Sequence, residues 1–299
     1  EDFLLRQPPR ITGHSAGPIV PTGIDLIEAT ISAIAALDSS TLCIQGPPGA
    51  GKTTVAAQAI VALLKQGKRI GITANSHPAI LNVLSKCHEL ADGNLRCLKI
   101  GGSREAPFFA ACPGALYAEN LRATLPTIGQ TPLIGGTAWV FSDLAMRGML
   151  DYLFVDEAGQ VSVANLIGMA PAAQNLVLIG DQMQLGQPIQ GFHPGESGLS
   201  LLDYLLQGQA TIPEEMGVFL GTTWRLHPRV CDFISGAVYE GRLQPARVPD
   251  AAALAPQWTT DERVLLSRGF GRGLNPRFPG TLSGAASSIT CSPLRPSAR

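Results

Sequence analysis

The stretch Gln45-Gly46-Pro47-Pro48-Gly49-Ala50-Gly51-Lys52-Thr53-Thr54 fits the pattern G-x-x-x-x-G-K-[ST]. Before it lies Thr41-Leu42-Cys43-Ile44, short and apolar, which reads as a buried strand. After it, Val55 to Leu64 is rich in Ala, Val and Leu and reads as a helix. Strand, glycine loop and helix in that order form the context in which this pattern cradles a polyphosphate. Gly46, Gly49 and Gly51 permit backbone dihedrals that a Cβ would forbid. Successive N–H groups of the loop then point inward, and the helix N-terminus adds partial positive charge. The candidate nucleotide site is therefore Gly46, Pro47, Pro48, Gly49, Ala50, Gly51, Lys52, Thr53 and Thr54. Lys52 is expected to reach the β- and γ-phosphates, and the Thr53 hydroxyl to ligate Mg²⁺.

Working outward, strands and helices alternate. Asp25 to Leu37 carries apolar residues at helical spacing, Arg69 to Thr73 reads as a second strand, and His77 to Leu90 as a helix with Pro78 in its first turn. Leu95 to Ile100 is a third strand. Residues 101–131 are irregular and punctuated by proline, with a short helical stretch expected at Ala115 to Leu121. Strands follow at 133–134, 152–155, 176–179 and 218–220, with helices at 162–169, 199–206 and 228–239. This alternation predicts an α/β fold with a parallel sheet covered on both faces.

Three further polar clusters follow apolar strands. Asp156 and Glu157 come straight after Tyr152 to Val155. An aspartate at such a strand end can hold Mg²⁺, directly or through water, and the next carboxylate can orient and deprotonate an attacking water. The bland reading is a solvated turn, but the upstream phosphate loop favours the functional one. Gly180-Asp181-Gln182-Met183-Gln184-Leu185 is the second cluster, where Gln184 can hydrogen-bond a γ-phosphate or its water. Thr222-Thr223-Trp224-Arg225-Leu226-His227-Pro228 is the third, where Arg225 can stabilise a transferring phosphoryl group; taken alone, each of these two clusters reads equally well as a polar turn after a strand.

GPPGAGKTT, DEAGQ, GDQMQL and TTWRLHP, in this order, resemble the superfamily 1 helicases, and most of all their 5′-to-3′ branch of nonsense-mediated-decay and Okazaki-processing type. With ITANSHPAI (72–80), GGTAWVFS (135–142) and QPIQGFHPGESG (187–198), the chain is similar to the helicase half of bacterial proteins that fuse a RecB-like nuclease to such a motor. The resemblance spans roughly residues 20–245 and implies a RecA-like P-loop NTPase using ATP and Mg²⁺ to move on single-stranded nucleic acid, with DNA favoured and a nuclease domain in the full-length protein. It implies catalytic roles for Lys52, Asp156, Glu157, Gln184 and Arg225, with Arg225 acting from a second RecA-like domain. Thr53 and Asp156 would serve the metal. Ser76, His77 and Thr137 would touch the nucleic-acid backbone, contacts that position a strand without reading it. Trp139 could stack on a base, though a core position is the plainer reading. His193 and Glu196 read as a solvated turn.

The implied organisation is a proline- and glycine-rich linker over 1–23, a RecA-like domain over 24–209, the incomplete start of a second such domain over 210–262, and an out-of-family or disordered tail over 263–299. That tail has six arginines, no lysine and no acidic residue. A full second domain would need about 100–150 residues. The late motifs of the family are absent, so the alternative reading is a truncated nucleotide- or strand-binding fragment with little hydrolysis and no unwinding. The chain begins with Glu1 rather than Met, which fits a fragment. Asp25 to Leu37 also lacks the glutamine with which the family reads adenine.

Composition narrows the rest. A net charge of −1 gives no global basic field, so strand binding would need a local groove. The six cysteines include no C-x-x-C pair, which reads as reduced structural thiols in a cytoplasmic protein. No apolar run reaches the 18 residues of a membrane span.

Overall fold

The computed structural model describes residues 1–21, 23–126, 128–184, 186, 191 and 193–246. In chain order its elements are α1 (Leu26–Ala35), β1 (Thr41–Gln45), α2 (Lys52–Lys65), β2 (Ile70–Thr73), α3 (His77–Leu90), β3 (Cys97–Ile100), α4 (Pro107–Ala111), β4 (Ala115–Ala118), β5 (Leu133–Gly135), α5 (Ala138–Phe141), β6 (Leu150–Val155), α6 (Val163–Met169), β7 (Ala173–Gly180), α7 (Leu201–Leu206), β8 (Gly217–Phe219), β9 (Thr222–Thr223), α8 (Pro228–Val238) and β10 (Gln244–Pro245). Local chemistry sets the helix starts. The Asp25 carboxylate accepts the N–H groups of Ile27 and Glu28 to cap α1, and the Ser76 hydroxyl accepts that of Ala79 to cap α3.

Eight strands form one sheet in the order β4-β3-β5-β2-β6-β7-β1-β8, every neighbouring pair parallel. Side chains alternate across each strand. Leu42 and Ile44 face a layer with Ile34 of α1, Ile60 of α2 and Leu84 of α3. Cys43, between them, faces the opposite layer with Phe141 of α5, Leu166 of α6 and Leu202 of α7. Because both faces are covered, a strand such as β2 is buried at every position. The expected parallel α/β sheet is thus the one observed.

The structure departs from the sequence reading in three places. Ala115 to Ala118 is a strand rather than a helix: its main chain pairs with β3 from Cys97↔Ala115 to Ile100↔Ala118, and lateral pairing at the sheet edge overrides the helix preference of Ala and Leu. Among the described residues before 24 there is no helix or strand, as the prolines and glycines dictate, but the segment is not a free linker. Phe3 is buried and stacks on Tyr204 with ring centroids 5.3 Å apart, and the Arg6 guanidinium lies 3.8 Å above the same ring. Ile11 bridges to Leu37, and Ile19 N–H donates to the Glu214 carbonyl at 2.9 Å.

The third departure concerns the boundary expected at 209/210. β8 hydrogen-bonds to β1 within the main sheet, and residues 1–246 form one compact unit. After β8 the chain runs through β9 and α8 and returns as β10 beside β9, Gln244↔Thr222. Arg242 ties this return to the domain, donating to the Thr211 hydroxyl and the Ile212 carbonyl, both at 3.0 Å. The expectations for 247–262 and 263–299 lie outside the described residues.

Candidate nucleotide site and strand face

In an all-parallel sheet the carboxyl ends of the strands share one edge, where such folds bind ligands. The nucleotide and strand-contact candidates sit there. The phosphate loop follows β1, Asp156-Glu157 follows β6, Asp181 to Gln184 follows β7, and Arg225 lies beyond β8 and β9. Ser76 and His77 follow β2, and Thr137 follows β5. The strand order β5-β2-β6-β7-β1-β8 puts the nucleotide motifs side by side on one half of the edge and the strand-contact candidates on the adjoining half.

The loop is shaped for an anion. Gly49 and Gly51 hold φ of +78° and +83°, and Gly51 leads directly into α2. A Cβ on Gly46 would come within 2.9 Å of Lys52 Cγ. Lys52 folds back, its ammonium donating to the Gly46 carbonyl at 2.6 Å and the Pro47 carbonyl at 3.3 Å. Burial lowers its pKa. Asp181, Glu157 and Asp156 push it back up, and Arg225 lowers it again. A cation resting on loop carbonyls, amid glycines with no side chain to fill the cradle, fits a polyphosphate.

Asp156 is buried, and its carboxyl is raised to about 6, first by burial and then by the Glu157 charge. Glu157 takes a left-handed conformation, φ +54°, which turns the chain away from the strand. The turn is pinned from two sides. Asn75, after β2, donates its amide to the Gln160 carbonyl. Gly159 lies so close to the Asp181 carbonyl that no Cβ would fit. Among the described residues no three His, Cys, Asp or Glu converge on a metal site. A Mg²⁺ at Thr53 and Asp156 would complete its shell with phosphate oxygens and water, its usual habit beside nucleotides.

Several residues at this edge carried no assigned role in the sequence reading. Asp181 is buried and accepts from the Tyr239 hydroxyl at 2.9 Å and the Met183 N–H at 3.1 Å. Burial raises its carboxyl, while those two hydrogen bonds and Lys52 lower it. Gln45, fully buried at the end of β1, donates to Gln182 Oε1 at 2.6 Å and to the Ala210 carbonyl at 2.9 Å, and accepts from the Ile212 N–H at 2.6 Å. A glutamine closing an apolar strand was the available signal for Gln45. Tyr239 offered none, being far from Asp181 in sequence. Gln184 joins the turn through its N–H to the Asp181 carbonyl at 3.4 Å.

Arg225 was expected on the far wall of a cleft. Its segment instead packs on the phosphate loop. Trp224 N–H donates to the Gly49 carbonyl at 3.0 Å and the Thr223 hydroxyl to the Pro48 carbonyl at 3.0 Å. The reason is β8: adding it to the β1 edge delivers the next residues onto the loop that follows β1.

A family model for the AAA domain matches residues 28–192, more than half of the chain. The chain belongs to the AAA domain family. Within that family it is of the superfamily 1 helicase type, the motif order and the helicase relatives agreeing. It is 28% identical over 226 residues to the DNA replication ATP-dependent helicase/nuclease DNA2 of Xenopus laevis, covering 73% of this chain and 21% of that protein. It is 29% identical over 147 residues to the protein of that name in Saccharomyces cerevisiae, covering 48% of this chain and 10% of that one. The chain thus spans about a fifth or less of these relatives. Among solved structures it is similar to an arterivirus nonstructural protein 10 helicase in complex with DNA, at 17% identity and a TM-score of 0.46, covering 70% of this chain and 44% of that one.

On the adjoining half of the AAA domain's edge, Ser76 caps α3 and Thr137 opens α5. Trp139, one residue further on than Ala138, is 85% exposed, so the core position expected for it is wrong. α5 is one short turn, and Phe141 supplies its buried anchor. Glu196, expected in a solvated turn, pairs with Arg6 at 2.8 Å. The five described cysteines are buried free thiols. No described helix is long and apolar enough to cross a membrane.

Proposed function

We propose that this AAA domain is the ATP-hydrolysing core of a helicase motor that moves on single-stranded nucleic acid, with DNA as the favoured substrate. The observation that supports this best is the single sheet edge, where a phosphate cradle, a buried acidic pair, the Asp181–Gln184 turn and Arg225 adjoin exposed groups on the next strands. Lys52 and the loop N–H groups bind the triphosphate. Thr53 and Asp156 would hold Mg²⁺, which would supply neutralisation of the phosphate charge. Glu157 orients the attacking water and accepts its proton, Gln184 contacts the γ-phosphate end, and Arg225 stabilises the charge of the transferred group.

Ser76, His77 and Thr137 take the backbone of the strand, and exposed Trp139 gives one base a stacking surface. The curated relatives are named helicase/nucleases, so a nuclease domain elsewhere in the full-length protein belongs to the same reading, and the buried free thiols support a cytoplasmic setting.

Isothermal calorimetry with MgATP, wild type against Lys52→Ala, tests the core of the proposal, followed by ATPase assays with and without oligo(dT). Binding by wild type and not by Lys52→Ala is the expected result. Equal binding by both would remove the phosphate-loop assignment. Equal rates with and without oligonucleotide would remove the motor.

A further inference from the structure

Lys99 is a charged residue in the middle of an apolar strand, Cys97-Leu98-Lys99-Ile100, and is only 1% exposed. Burying an ammonium is costly unless every donor is matched. Among the described residues no carboxylate pairs with it. Its three donors meet three acceptors: the Ile100 carbonyl at 2.8 Å, the Gly101 carbonyl at 3.0 Å and His77 Nδ1 at 2.9 Å. The His77 ring is also seated. It lies against Gly101 and Gly102, where a Cβ would come within 3.1 Å of Cε1 and 3.0 Å of Cγ. Both glycines hold positive φ, +74° and +82°. The Tyr117 hydroxyl anchors that glycine turn by donating to the Gly102 carbonyl at 2.9 Å.

An ammonium has donors and no acceptor, so the nitrogen facing it must be a bare acceptor. Nδ1 of His77 is then unprotonated, and the ring hydrogen sits on Nε2. We propose that Lys99 is a positioning residue that locks His77 as the neutral Nε2–H tautomer, so that the ring offers a single fixed donor to a phosphate oxygen of the bound strand. This rests on the proposed strand contact by His77 and adds the residue that determines its form. The surroundings agree. Burial and then the Lys99 charge lower the His77 pKa, and burial lowers Lys99 to about 8. Lys99 is the charged group that acts on the ring. Tyr117, on β4, reaches the turn through its hydroxyl, and Arg104, Glu105 and Glu119 nearby are exposed. A locked neutral donor makes the contact insensitive to pH near neutrality, where an ordinary histidine would titrate.

Histidine-selective ¹⁵N labelling of the 299-residue chain reads the tautomer directly, the His77 signal being the one lost in His77→Ala. The wild type is expected to show an unprotonated Nδ1 from about pH 6 to about pH 7.5. Lys99→Met is expected to give mixed tautomers and a pKa that rises from the wild-type value but stays below the ordinary one, because burial of the ring remains. Oligo(dT) binding followed by fluorescence anisotropy should weaken about tenfold in Lys99→Met near pH 7.5 and recover progressively as falling pH charges His77. His77→Ala should weaken it at both. A wild-type ring that carries its hydrogen on Nδ1, or titrates near 6.5, overturns the proposal whether or not the variant folds. If Lys99→Met shifts the tautomer but neither variant alters oligo(dT) affinity, the strand contact itself is wrong and the proposal falls with it.

Discussion

The backbone N–H of Trp224 donates to the carbonyl of Gly49 at 3.0 Å, joining the arginine-bearing segment to the phosphate loop. Any shift of the loop around a nucleotide is therefore felt at once by the segment that carries Arg225. The contact is tight: a Cβ on Gly49 would lie 2.5 Å from Arg225 Cβ and 3.1 Å from Thr223 Oγ1.

Gly49 and Gly51 separate two costs of substitution. Both hold positive φ, but a Cβ on Gly51 would meet nothing within 4 Å. Gly51→Ala should lose the left-handed strain alone, about 1–2 kcal/mol in thermal or urea unfolding. Gly49→Ala should lose more, and its Trp224 fluorescence should change as the segment is pushed off the loop. Equal destabilisation by the two variants would mean that the segment does not rest on the loop.

Among the described residues Lys52 bonds only to the carbonyls of its own loop, so its removal should leave unfolding nearly unchanged while nucleotide binding falls. Hydrogen bonds to a charged partner contribute about 1.5–3 kcal/mol, so Lys52→Ala should bind MgATP at least about tenfold more weakly. A large loss of stability would show instead that Lys52 holds the loop together.

Asp156 gives a pH dependence with a definite sign. Its folded pKa of about 6 lies above the ordinary aspartate value of 3.8, so the folded state holds this proton more tightly than the unfolded one. The resulting stabilisation is present at low pH and is lost as pH rises from about 4 through about 6. At about 1.4 kcal/mol per unit, the ionised buried carboxylate costs the folded chain about 3 kcal/mol near pH 8. Asp156→Asn should therefore melt higher than wild type near pH 8, with the gap closing near pH 4. MgATP affinity of the wild type should rise through about pH 6, because a metal ligand must be ionised.

Tyr239→Phe removes the hydroxyl that donates to Asp181 Oδ2 at 2.9 Å. The carboxylate stays buried with one partner fewer, which should cost about 1–3 kcal/mol in urea unfolding. A double-mutant cycle with Asp181→Asn should show coupling between the two positions, since they are in direct contact. Additive losses would place the stabilising role of Tyr239 elsewhere, for instance in its ring contact with Phe219 at 6.0 Å.

Trp139 is exposed, so Trp139→Ala should change stability by no more than about 0.5 kcal/mol. If the ring stacks on a base, oligo(dT) affinity should fall by about 1–3 kcal/mol. Unchanged affinity would leave the ring without a role in strand binding.

The phosphate loop, the alternation of strands and helices and the order of the acidic, glutamine and arginine motifs were all legible in the chain. Each depends on residues close in sequence: glycines at fixed spacing, an apolar run of strand length, a polar group at its end. The parallel sheet followed because buried strands joined by helices have few other arrangements. What lay beyond reach is long-range. That Ala115 to Ala118 would be a strand was decided by β3, whose edge it covers, and that Trp139 would be exposed was decided by the brevity of α5, buried through Phe141 alone. The addition of β8 to β1 carried Arg225 onto the phosphate loop. Lys99 with His77 and Tyr239 with Asp181 are pairs from distant segments that only the sheet brings within hydrogen-bonding distance. Local pattern specifies which elements form and where a phosphate can bind. Side-chain partners depend on which strand ends become neighbours, and that is a property of the assembled sheet.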